Sequence, residues 1–166
     1  VTSMQKIWYW LLPLTWMGVI FYASAQPYEK QDMKPFLTNM VDLSFLAPYL
    51  DWVSLSYHQS EVSVDVLGVA GFIEFFIRKG AHVTVFFVLM LLFLAAVRKT
   101  TSCTFPVSIS LSFTLTVAYA GLDEFHQGFT AGRTPYAGDV VLDSFGAFMA
   151  LLLLIYVHLL KRKKRS

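Results

Sequence analysis

The run Val140-Val-Leu-Asp-Ser-Phe-Gly-Ala-Phe-Met-Ala-Leu-Leu-Leu-Leu-Ile-Tyr-Val-His-Leu-Leu160 is followed at once by Lys-Arg-Lys-Lys-Arg, residues 161–165. About 21 helical residues rise about 32 Å, enough to cross the hydrocarbon core of a bilayer. An apolar helix that stops on a dense basic block spans a membrane and ends at its surface. The spacing within the run adds a second message. Asp139 and Asp143 are four residues apart, and Gly146 and Ala150 continue the same stripe. Small residues allow close helix approach, so this stripe faces other helices and carries two carboxylates with it.

Immediately before this span, residues 119–143 bring together Asp123, Glu124, His126, Gln127, Arg133, Asp139 and Asp143. Ionisable groups are costly near a bilayer, so such a knot is a functional-site hypothesis by default. Upstream lie three further apolar runs. One covers about 106–122 and opens on Pro106, which a first helical turn tolerates. Another covers about 80–97, flanked by Arg78-Lys79 and Arg98-Lys99, and the first covers about 7–25, after Lys6. Ala23-Ser24-Ala25 resembles a signal-peptidase site. The length of that run, with Trp8, Trp10, Pro13 and Trp16, favours a retained span instead.

Composition agrees with this count of spans. Only 14% of the 166 residues are charged and 56% are hydrophobic, with mean hydropathy +0.57. Soluble domains carry about 25% charged residues. Cys103 is the sole cysteine, which excludes an intrachain disulfide. No phosphate-cradling glycine loop or paired CxxC motif occurs, and no nucleic-acid partner is expected.

Residues 26–77 form a mixed segment. The pattern around 41–52, broken by Pro48, suits short helices lying on the membrane surface. A helix is expected from about Val69. Val62-Ser-Val-Asp-Val alternates as a strand would, although an isolated strand at a membrane edge is unfavourable. The expected fold class is therefore all-α: one domain over 1–166, an integral membrane bundle of four transmembrane helices with short interfacial helices in the first extracytoplasmic segment.

Basic residues orient the bundle. With both termini cytoplasmic, the inside receives Lys6, Arg98, Lys99 and the five C-terminal basic residues, eight in all, against Lys30, Lys34, Arg78, Lys79 and Arg133 outside. All eleven acidic residues then fall outside. Arg78, Lys79 and His82 thereby reach the same face as the 119–143 knot. On the third span Ser112, Thr116, Tyr119 and Asp123 share one face, whose hydroxyls can bond to neighbouring helices.

Several chemistries suit these residues. An ion-pair network tying helix ends together is the simplest. His82, beside a carboxylate, can instead transfer protons with Glu124 or Asp123 as general acid/base. Lys79, Arg78, Gln127, Arg133, Asp139, Asp143, Ser24 and Gln26 form the candidate ligand-binding set. His126 reads as a surface residue and His158 as an interfacial one. Carboxylates with imidazole can bind a divalent metal, but no compact ligand motif such as His-Glu-x-x-His is present, so neither a metal site nor a cofactor is assigned.

Three blocks resemble the VanZ-like family of bacterial membrane proteins. Ser24-Ala-Gln26-Pro27 looks like the family's Ser-x-Gln-Pro exit from its first span, and Lys79-Gly-Ala-His82 like its Lys-x-x-His motif. Asp123-Glu124-x-x-Gln127, then Arg133, Asp139 and Gly146, match its last block in order and approximate spacing. Two positions depart from the pattern: Asp143 stands where Asn is frequent, and His126 occupies a variable position. The resemblance implies a multi-pass protein of the bacterial cytoplasmic membrane, associated with the cell envelope and, for the namesake, with teicoplanin resistance. The implied partners are membrane lipid and a lipid-linked envelope precursor or lipophilic glycopeptide. No reaction follows from it.

Overall fold

A computed structural model describes residues 3–40, 42–131 and 133–164. Four helices are long and apolar enough to cross a membrane: α1 (Ser3–Ser24), α5 (Val64–Thr100), α6 (Phe105–Gln127) and α7 (Ala137–Lys163). Three of them contain an expected span and extend beyond it, and α1 covers the first span except its last residue, Ala25. Between α1 and α5 lie the short helices α2 (Tyr28–Gln31), α3 (Lys34–Met40) and α4 (Ala47–Leu50), a 3₁₀ turn at Ser44–Leu46, and a two-stranded hairpin. The chain divides into two compact units, one of residues 1–25 and 82–166, the other of residues 26–81.

In the first unit, each helix turns one narrow face inward. On α1 that face is Pro13, Ile20 and Ser24, all buried, while Trp8, Leu12, Val19 and Tyr22 point outward and are more than half exposed. So much outward apolar surface would be untenable in water and suits lipid contact. Hydrophobic sorting gives little drive between helices in lipid, so close packing and hydrogen bonds must hold the unit together. Both are present. Phe86, Leu89 and Phe93 of α5 pack with Ile20, Tyr119 and Ala120, and a second cluster joins Met90 and Leu94 to Ile109, Ala147 and Ala150. Trp16 Nε1 donates to the Val85 carbonyl at 2.9 Å, Tyr119 Oη to the Met17 carbonyl at 2.6 Å, and Trp10 Nε1 to Thr100 Oγ1 at 3.1 Å.

The α6 hydroxyl face is buried, and its bonds run partly to neighbouring helices, as expected, and partly within α6. Ser112 donates to the Ser108 carbonyl and Thr116 to the Ser112 carbonyl, each one turn back and each at 2.8 Å. Within a helix the carbonyl four residues back is always in reach, so these hydroxyls close on their own backbone, with Thr116 Oγ1 also 3.9 Å from Met90 Sδ of α5. Tyr119, with a longer arm, is the one that crosses to α1.

In the second unit, Gly68 (φ 67°, ψ 166°) interrupts α5, so the regular helix runs on from Val69 as expected. The left-handed φ there favours glycine. Of the alternating stretch, only Val62 lies in a strand, and from Val64 the chain is helical. That strand is not isolated. β1 (Leu55–Tyr57) pairs antiparallel with β2 (Ser60–Val62), with Leu55 opposite Val62, and so supplies the backbone bonds a lone strand would lack. His58 and Gln59 make the turn at φ 50° and 61°. Positive φ at both central residues matches the twist of a two-residue hairpin. Phe45, Tyr49 and Trp52 around α4 are exposed, as aromatic residues of surface-lying helices are.

Candidate functional site

At one end of the first unit, the last turn of α1, the first α5 turn from His82, the last turns of α6 and the first turns of α7 converge. Gly146 explains how. A Cβ there would lie 2.2 Å from the Val83 carbonyl oxygen, so α5 and α7 meet backbone to backbone at this point. Asp143 is three residues before Gly146, and His82 immediately precedes Val83. The close crossing thus brings their side chains together, with His82 Nδ1 3.1 Å from Asp143 Oδ1. Asp143 is fully buried, in a helix interior otherwise made of small residues.

A second network starts from Asp123, only 2% exposed. Its Oδ2 accepts from Ser24 Oγ at 2.8 Å and from Gln127 Nε2 at 3.0 Å. Arg133 Nη1 donates to Gln127 Oε1 at 2.9 Å. That contact fixes the amide: with its oxygen turned to the guanidinium, its NH₂ group must face the carboxylate. Thr130 Oγ1 donates to the Ser24 carbonyl at 3.3 Å. Four residues from α1, α6 and the α6–α7 loop are therefore laced around one carboxylate oxygen.

Glu124, next along α6, closes the loop. Its Oε1 accepts from the Tyr136 backbone N–H at 2.6 Å, one residue before α7 begins. Asp139, Asp143 and His82 are near enough to Glu124 for their charges to act on it. Asp139 lies in the first turn of α7, where the helix dipole favours an anion. Three buried carboxylate oxygens have no hydrogen-bond partner among the described residues: Asp123 Oδ1, Glu124 Oε2 and Asp143 Oδ2. Each carboxylate is thus held by one oxygen, and its other oxygen is buried without a partner among the described residues.

Ser24, His82, Asp123, Glu124, Gln127, Arg133, Asp139 and Asp143 all belong to this unit. Arg78, Lys79 and Gln26 belong to the other. There Arg78 lies 4.0 Å from Glu74, and Lys79 Nζ sits 4.3 Å over the Tyr57 ring. His126 is not the surface residue expected. Its ring stacks on Phe21 at 3.8 Å and its Nδ1 is buried, because it points from α6 toward the end of α1. Sequence reasoning also misses Thr130 and the Tyr136 amide. A loop threonine carries no pattern, and a backbone donor is invisible in side-chain motifs. Among the described residues, no three His, Cys, Asp or Glu side chains are arranged to hold a metal ion.

The arrangement can accept hydrogen bonds from a donor-rich group, and its His82–Asp143 pair can hold an imidazole in one tautomer for proton transfer. Comparison with curated proteins found no match. Comparison with solved structures found none either. The family model for VanZ/LLP1, however, matches residues 9–160, a stretch that reaches into all four spans and holds every residue of the polar end. With its membrane-spanning helices and that match over nearly its whole length, the chain belongs to the VanZ/LLP1 family.

Proposed function

We propose that the polar end of the first unit binds the headgroup of an amphipathic envelope molecule, lipid-linked or a lipophilic glycopeptide, at the extracytoplasmic face of the bacterial cytoplasmic membrane. One observation carries this reading: three buried carboxylates, each fastened through one oxygen and lacking a donor at the other among the described residues. Leaving a buried acceptor unmet costs about 1–3 kcal/mol. A network built only to tie helices would gain from meeting that demand internally. Hydroxyl and ammonium groups of a sugar-bearing headgroup are donors of the right kind, and the outward apolar faces of α1 and α7 suit an acyl or prenyl tail. Arg133 is the cation of this end for a phosphate or carboxylate.

The test uses teicoplanin and a prenyl-linked amino sugar as probes, with the protein in zwitterionic nanodiscs. Asp143→Asn and Glu124→Gln should each weaken binding about tenfold, with helicity and melting behaviour retained. Binding unchanged in both variants would sink the proposal. If Asp123→Asn and Arg133→Lys only lower stability, and correctly folded protein keeps its binding, the end is a structural clamp. Orientation has its own check: a periplasm-sensitive reporter inserted before Arg133 should read external.

The His82–Asp143 contact favours a second reading, a membrane-embedded acid/base enzyme on a lipid-linked substrate. Asp143 accepting from Nδ1 leaves Nε2 as the proton acceptor, with Glu124 or Asp123 as the partner acid. This reading requires turnover that Glu124→Gln or His82→Gln abolishes while binding persists. Binding and cellular resistance both surviving Glu124→Gln would remove Glu124 from any such mechanism.

A further inference from the structure

The opposite end of the same unit holds a cavity of about 340 Å³, lined by Arg98 from the end of α5, Phe105 from the start of α6, and Leu154, His158, Lys161 and Arg162 from α7. The Phe105 and His158 rings are stacked, 3.9 Å apart and 4° from parallel, and the Arg98 guanidinium lies 5.8 Å from the Phe105 centroid. The unit itself supplies no Asp or Glu to this end: none occurs in its residues 1–25, 82–122 or 144–166. Every acid of the unit is at the other end. Three cations from two helices therefore converge on a ring-walled cavity whose lining, among the described residues, holds no carboxylate.

We propose that this cavity binds a phosphate-bearing headgroup. Arginine offers a fork of donors matched to phosphate oxygens, and Lys161 adds a point charge. Phe105, the first residue of α6, brings the positive end of that helix's dipole to the cavity wall. Leu154 gives the cavity an apolar wall on a helix whose other faces are lipid-exposed. Lys161 and Arg162 also complement the negative end of α7 and anchor the span. Neither of those tasks calls for a cavity, for Arg98 from another helix, or for a stacked ring pair.

The experiment compares two variants that remove equal charge from the full chain. R98Q/K161Q/R162Q strips the cavity; K99Q/K163Q/K164Q strips its basic neighbours. Each protein is placed in phosphatidylcholine nanodiscs carrying a minor fraction of phosphatidylglycerol, and retained lipid is counted by native mass spectrometry. The site predicts one preferentially retained phosphatidylglycerol, lost about tenfold or more in the first variant and less than about threefold in the second. Equal losses in both would show diffuse attraction by a basic tail and overturn the proposal, as would no preference in the parent protein. Should the first triple variant aggregate, R98Q and F105L singly take its place, each expected to lose about threefold; no loss in either overturns the proposal. Glycerol 3-phosphate and inorganic phosphate distinguish the source. Displacement by either at millimolar concentration assigns a soluble phosphate compound, and resistance to both assigns a lipid. Failure of phosphate binding and of teicoplanin binding are separable, because they involve opposite ends and no shared residue.

Discussion

The two ends of the first unit treat charge in opposite ways. At the acidic end, Asp123, Glu124 and Asp143 are at most 5% exposed, and each is tied to a different helix or loop. At the basic end, Arg98, Lys161 and Arg162 are exposed and surround a cavity. The same arithmetic of charge therefore yields a fastening in one place and a receptive surface in the other. Burial makes the difference. A carboxylate withdrawn from water must be hydrogen-bonded, so its partners become part of the fold, whereas an exposed arginine keeps its hydration and owes the fold little.

This contrast can be broken first at Gly146. Replacement by Val should cost about 3 kcal/mol or more, since its side chain would meet the Val83 carbonyl and part His82 from Asp143. Unfolding in detergent would show it. A variant as stable as the parent would mean that the acidic end does not depend on the α5–α7 crossing. Next comes Asp123→Ala, which strands the Ser24 and Gln127 donors and should cost about 2–3 kcal/mol. Asp123→Asn, which keeps an acceptor oxygen, should cost less. Neutralising Arg98, Lys161 and Arg162 should shift stability by no more than about 0.5 kcal/mol each; losses as large as that of Asp123→Ala would erase the distinction between the ends.

The smallest effect belongs to Asp42, in the other unit. The Ser44 hydroxyl and then its amide donate to this exposed carboxylate and hold its pKa below the ordinary 3.8. A depressed native pKa contributes stability above the unfolded value and loses it as pH falls through the native one. Ser44→Ala should therefore bring the Asp42 titration, followed by NMR, back up toward 3.8. An unmoved titration would mean that the hydroxyl does not set it.

The four spans are legible in the sequence because a bilayer demands some twenty apolar residues, and no other constraint writes that signal so plainly. The stripe Asp139, Asp143, Gly146 and Ala150 is legible for a related reason: small and acidic residues stand out against leucine. The hairpin is not. Its strands are three residues each, and its turn is His58-Gln59 rather than a glycine or asparagine pair. His126 escapes a sequence reading because its setting depends on where α1 ends, a tertiary fact. Which oxygen of each carboxylate is fastened, and to what, is likewise a tertiary fact that leaves no mark in the sequence.

The bond from Ser24 to Asp123 spans 99 residues of chain. Ribosomes add about 5–20 residues per second, so α1 waits roughly 5–20 s in the membrane before its carboxylate partner is even made. During that interval α5 is completed and can pack against α1, but Ser24 and the carbonyl of Met17 still lack their α6 partners. The polar contacts of α1 with α6 thus form only after α5 has been made. An α1 segment expressed as a separate peptide should accordingly still find the remainder of the chain, and co-purification of the two pieces would register it.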